Sequence, residues 1–116
     1  MHYQAVPGEE AKLVRCTHGS IFDVIVDLRR DSPSFRSWMG VGLGAADRRM
    51  LWVPKGFAHG FLTLQDDTEV VYQMSTPYRP ELARGVRWND PAFAIEWPEQ
   101  PRVISPQDRS YPDFGD

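Results

Sequence analysis

Ten prolines and nine glycines are scattered through the 116 residues of this chain. Each proline removes a backbone donor and each glycine loosens the backbone, so their spacing leaves little room for a long unbroken element. No segment carries a sustained 3.6-residue apolar period, and helix is therefore expected to be scarce. What remains is a set of short extended pieces separated by turn residues, which is the pattern of a sandwich or barrel.

The clearest strand spans residues 21–28 (IFDVIVDL), with Phe22, Val24, Val26 and Leu28 on one face and Ile21, Asp23, Ile25 and Asp27 on the other. A shorter strand is expected over 12–16 (KLVRC), with 17–20 (THGS) as the turn between the two. Residues 35–43 (FRSWMGVGL) read as another strand, in which Gly40 and Gly42 signal a bulge or a close backbone approach. Further strands are expected over 60–64 and 68–74, the latter placing Val70, Tyr72 and Met74 on one face with Tyr72 turned inward. Residues 75–85 read as loop, 86–88 and 94–97 as short extended pieces, and 98–116 as a tail with four prolines and little pattern. The expectation is one domain over 1–116, an all-β cupin-type jelly-roll barrel with little helix and a ligand cavity in its mouth.

The pivot of that barrel is the stretch 51–61 (LWVPKGFAHGF). Leu51, Trp52 and Val53 suit a half-buried pleated surface, Pro54 ends ladder pairing, and Gly56 permits a sharp turn. His59 is then expected at a bend, at the mouth of the strand that follows.

Charge and composition narrow the function classes. A net charge of −3 argues against a dedicated nucleic-acid binder, whose phosphate contacts leave a basic footprint. It leaves room for a phosphorylated small molecule, for which Lys12, Arg15, Arg29 and Arg79 are available cations. No apolar run approaches the length of a membrane span, and the first residues lack the basic and then apolar regions of a secretory signal, so a cytoplasmic location is expected. Cys16 stands alone, which excludes an internal disulfide and suits a small buried hydrophobe.

The three histidines, His2, His18 and His59, form no H-x-H pair and no helical H-x-x-x-H, so a metal centre is not expected. Proton transfer is the better chemistry. An imidazole, a phenol and a carboxylate meeting in a pocket suit abstraction of a proton from carbon beside a carbonyl, because histidine titrates near neutrality and a phenol can return a proton. His2, His59, Tyr72, Tyr78 and Asp108 are the candidates. From spacing alone each keeps a plainer alternative: a frayed terminal residue, a structural histidine, a core aromatic, a loop cover or a turn-former.

Taken together, the segments HYQ at 2–4, KLVR at 12–15, FDV and VDLR within 22–29, SPSF at 32–35, WVPKGFAHGF at 52–61, WNDP at 88–91 and EWP at 96–98 resemble the dTDP-4-dehydrorhamnose 3,5-epimerase family. The match runs in order from His2 to about Asp108. It implies a cupin-like jelly roll, usually a homodimer, that acts on a dTDP-linked 4-keto-6-deoxy sugar without metal or organic cofactor. By the same resemblance His2 is the general base, Tyr72 the acid, and Asp108 the group that orients the base. Tyr78 matches the tyrosine near the keto region, and Lys12 and His59 match substrate-contacting positions. Members of the family carry a further N-terminal segment before the base histidine, which is expected to be missing here; a shortened, non-catalytic nucleotide-sugar-binding or structural cupin is the alternative.

Overall fold

The computed structural model describes residues 1–115. Eight strands, β1 (His2–Gln4), β2 (Lys12–His18), β3 (Ser20–Asp27), β4 (Trp38–Gly44), β5 (Leu51–Val53), β6 (Phe57–Thr63), β7 (Glu69–Met74) and β8 (Ala83–Gly85), form two antiparallel sheets. The larger has the order β4-β3-β6-β1-β8 and the smaller β5-β2-β7. This is the all-β, cupin-like jelly roll expected from the sequence. Among the described residues, helix is confined to a 3-10 turn at Pro80–Leu82 and a single α-helix, α1 (Pro106–Ser110).

The strand β3 explains most of the packing. Six of its eight residues are buried, because both faces are covered, and each face meets a different partner. Ile21 and Ile25 pack with Val14, Cys16, Leu43, Leu51 and Val53 in the core between the two sheets. Val24 and Val26 pack on the opposite face with Ala58, Val86 and Phe93, against which Phe22, Leu28, Trp97 and Phe114 also lie. The expected alternation is present, with the difference that its mixed face, carrying Asp23 and Asp27, is the one enclosed between the sheets.

Gly40 stands opposite Val24, where a side-chain carbon would collide with the ring of Phe22. The expected close approach is therefore a seat for an aromatic ring; Gly42 faces open space. At the pivot, Gly56 adopts φ 86° and its carbonyl accepts from the backbone N–H of Leu28, which locks the β5–β6 turn to the end of β3.

Several local expectations are corrected. Thr17 and His18 belong to β2 rather than to a turn. β4 starts at Trp38, because Arg36 takes φ 71° and breaks the extended run begun at Phe35. β6 starts at Phe57, so His59 lies inside a strand and not at a bend. Residues 83–85, read as loop, form β8 by pairing with β1, whereas 86–88 and 94–97 are irregular, with Ala94 at φ 51°. The tail contains α1.

Asp27 closes the end of β3. Its carboxylate accepts from Arg29 N, Nε and Nη2 at 3.0, 2.9 and 3.0 Å and from the hydroxyls of Ser32 and Ser34, both at 2.6 Å. The Arg29 guanidinium, aided by the two serines, holds its carboxyl far below the usual carboxylate range despite burial. A carboxyl with a depressed folded pKa contributes stability that is present above its unfolded value, near ~4, and is lost as pH falls towards the folded value. Asp27→Asn should therefore lower stability in urea at neutral pH by about 2–4 kcal/mol, and should remove the part of the acid destabilisation that this carboxylate causes below about pH 4.

Candidate active site

β1 brings the first candidate into place. Its three residues pair with β8, and His2 is paired on both sides, lying opposite His59 of β6 and Gly85 of β8. Two imidazoles thus stand side by side on one face of the larger sheet, and each is met by an aspartate. His2 Nε2 is hydrogen-bonded to Asp108 Oδ1 at 2.6 Å, and His59 Nε2 to Asp23 Oδ1 at 2.5 Å. Their surroundings differ sharply. The His59 and Asp23 side chains are 5% and 0% exposed, those of His2 and Asp108 53% and 31%.

Asp108 is held by α1, a helix made possible by Ser105 at its cap, whose hydroxyl accepts from the Asp108 N–H at 3.1 Å, and by Pro106 in its first turn. Partial burial pushes the Asp108 carboxyl up, but the hydrogen bond and charge of His2 outweigh it and keep the group below its ordinary value. Asp108 is therefore ionised around neutrality.

Lys12 opens β2, where Val53 and Met74 flank it. It is buried, with Nζ 3.6 Å from Glu10 Oε1. Burial lowers its pKa and Glu10 only partly offsets this, so a charged amine is kept poorly solvated where it can meet an oxyanion. Tyr72 lies on β7 opposite Val14. It shares the inward face with Val14, as expected, and is 49% exposed because β7 is an edge strand of the smaller sheet and the tyrosine stands at the cavity mouth. Tyr78 is more exposed still and sits on the loop after β7.

Five of the six candidates gather around one cavity, and the sixth, Tyr78, lines its neighbour. His2, Lys12, His59, Tyr72 and Asp108 line a cavity of about 290 Å3. His2, Lys12 and Tyr72 also line an adjoining cavity of about 390 Å3, whose wall includes Tyr78, Arg84 and Tyr111. The shared trio places an imidazole, an ammonium and a phenol on the ridge between the two spaces. Among the described residues, no group of three or more His, Cys, Asp or Glu side chains is arranged to hold a metal ion.

Other functional groups escaped the sequence reading. Of the cations set aside for a phosphate, only Lys12 faces the cavities. Arg29 is committed to Asp27, Arg79 to Glu81 at 2.9 Å, and Arg15 shares the outward face of β2 with Leu13. Arg84 lines the second cavity instead. Gln4 is buried, donates to the Gly8 carbonyl at 2.7 Å and accepts from the Arg79 N–H at 2.6 Å, pinning the loop that carries Tyr78. Asp23 had a visible signal, a carboxylate inside the most hydrophobic strand, which requires a buried partner.

A family model described as dTDP-4-dehydrorhamnose 3,5-epimerase matches residues 1–116. A protein of that name from Escherichia coli is 50% identical over 109 residues, covering 93% of this chain and 59% of the relative. Among solved structures, the Bacillus anthracis dTDP-4-dehydrorhamnose 3,5-epimerase with TDP and PPi bound superposes with a TM-score of 0.94 at 46% identity, covering 97% of this chain and 65% of that one. The Legionella pneumophila dTDP-6-deoxy-D-glucose-3,5-epimerase in complex with dTDP-4-keto-L-rhamnose gives 0.87 at 41% identity, covering 92% and 57%. Curated relatives such as those from Shigella flexneri and Escherichia coli are longer, and the chain spans 60% and 59% of their lengths. With the family model matched from end to end, the chain belongs to the dTDP-4-dehydrorhamnose 3,5-epimerase family.

Proposed function

We propose that this protein epimerises a dTDP-linked 4-keto-6-deoxyhexose at C3, C5 or both, using its own side chains without metal or organic cofactor, in deoxysugar biosynthesis of the rhamnose type. The observation that carries the reading is the meeting of His2, backed by Asp108, with Lys12 and Tyr72 around one cavity. The dTDP-4-keto-L-rhamnose bound to the Legionella relative supports the substrate class.

The chemistry follows from the C4 ketone, which acidifies the hydrogens on C3 and C5. Asp108 accepts from His2 Nε2, leaving Nδ1 to take the proton from carbon. The electron pair moves onto the C4 oxygen as an enolate, which the Lys12 ammonium stabilises, with His59 and Tyr78 contacting the sugar. Tyr72 then delivers a proton to the same carbon from the opposite face. Solvent takes the proton from His2 and restores the one lost by Tyr72, so the net change is inversion at that carbon.

Incubation with dTDP-4-keto-6-deoxyglucose in D2O should place deuterium at C3, C5 or both, read by NMR. His2→Asn and Tyr72→Phe should each slow the exchange by roughly 10²–10⁴-fold. A folded protein that binds the nucleotide sugar but exchanges nothing would replace this reading with the non-catalytic one.

The charged amine is the form that stabilises an enolate, and burial lowers the Lys12 pKa. The Lys12 contribution to kcat/KM should therefore be present below that lowered value and be lost as pH rises through it, at a lower pH than an exposed lysine would give. Lys12→Arg, whose guanidinium does not titrate in this range, should lack that limb whatever its absolute rate.

The same reading places the protein in the cytoplasm as a homodimer. No helix among the described residues is long and apolar enough to cross a membrane. Support for self-association comes from the outer face of the smaller sheet, where Trp52 and Val71 are 58% and 37% exposed beside Leu13. Sedimentation should give twice the chain mass, and Trp52→Glu should shift it towards the monomer.

A further inference from the structure

Tyr111 lies one residue beyond the end of α1, three residues after Asp108. Its ring meets the His2 imidazole edge-on, with centroids 6.2 Å apart and planes at 72°, a favoured geometry for two aromatic rings. The ring occupies the space above Gly85, the residue paired with His2 across β1 and β8, where a side-chain carbon would collide with it. Its backbone is also fixed, because Arg87 Nη1 donates to the Tyr111 carbonyl at 3.0 Å while Arg87 Nη2 holds Asp113 at 2.6 Å.

We infer that Tyr111 is a positioning residue for His2: its ring, seated over Gly85, sets the orientation of the imidazole while Asp108 holds Nε2. The need for such a device follows from exposure. The His2 side chain is 53% exposed, and a single hydrogen bond to a carboxylate leaves the imidazole free to swing about that bond. A ring edge on a second side removes that freedom. One helical turn thus supplies both restraints, and Gly85 is the vacancy that admits the second. The proton-transfer angle at Nδ1 is what the arrangement protects, since a small misplacement of a reacting group is costly.

This inference rests on the reading of His2 as the base, and the experiment separates the two. In protein labelled with 15N-histidine, the His2 imidazole of Tyr111→Ala should show a shifted Nε2 resonance and greater ring mobility than in the unsubstituted chain. This holds whether or not the protein turns over substrate. In deuterium exchange, Tyr111→Ala should lower kcat on the order of 10- to 100-fold with KM changed less than about threefold. Tyr111→Phe, which keeps the ring edge, should recover most of that loss. Gly85→Ala, which expels the ring while leaving the tyrosine in the chain, should reproduce the His2 resonance changes of Tyr111→Ala, with thermal unfolding followed to confirm a folded variant. An unchanged His2 spectrum in folded Tyr111→Ala overturns the inference, as does a rise in KM alone. A Tyr111→Phe variant as slow as Tyr111→Ala overturns it too, since the hydroxyl would then be the acting group. Absence of exchange in the unsubstituted protein would defeat the epimerase reading, and the imidazole spectra would still decide the role of Tyr111.

Discussion

The structure depends on one stretch of ladder pairing, three residues long, by which β1 is inserted between β6 and β8. Without it the larger sheet would end at β6, and neither His2 nor the loop pinned by Gln4 would have a fixed place. The insertion also sets two imidazole–carboxylate pairs next to each other with opposite fates. His59 and Asp23 are sealed inside, where parting them would leave a charge or a dipole without water. His2 and Asp108 face the cavity, where protons can be exchanged with solvent. Similar chemistry thus stands in two solvation environments, one pair enclosed against the core and the other open at the cavity mouth.

Lys12 and Glu10 extend the same logic. Burying an ammonium is costly, and Glu10 at 3.6 Å is a loose partner, with its other carboxylate oxygen unpaired. On the proposed epimerase reading, a substrate oxygen bearing negative charge would offset that cost.

Much of this was legible in the chain. The alternation of residues 21–28 located β3 and both of its faces, and Pro54 with Gly56 located the turn before β6, since those signals are local. β8 was invisible because Ala83, Arg84 and Gly85 have no strand pattern of their own; they are extended because β1 lies beside them. The irregular course of residues 94–97 escaped for the converse reason, an apolar segment used to cover the sheet rather than to join it. The six candidates were named through ordered motifs, yet the local pattern could not say that Tyr72 stands at the mouth or that His59 is bound to Asp23. Those facts depend on which strand is at an edge and which is central, a property of the completed sheets.

His2 and Asp108 are separated by 106 positions in the chain and by 2.6 Å in space. Such a contact closes a long loop, and loops of that length close late. On a ribosome the imidazole would wait, unoriented, while the strands of both sheets were made, because its carboxylate partner lies downstream of all eight. The pair is in this sense a test of folding, formed only once the strands that lie between its two members have been placed.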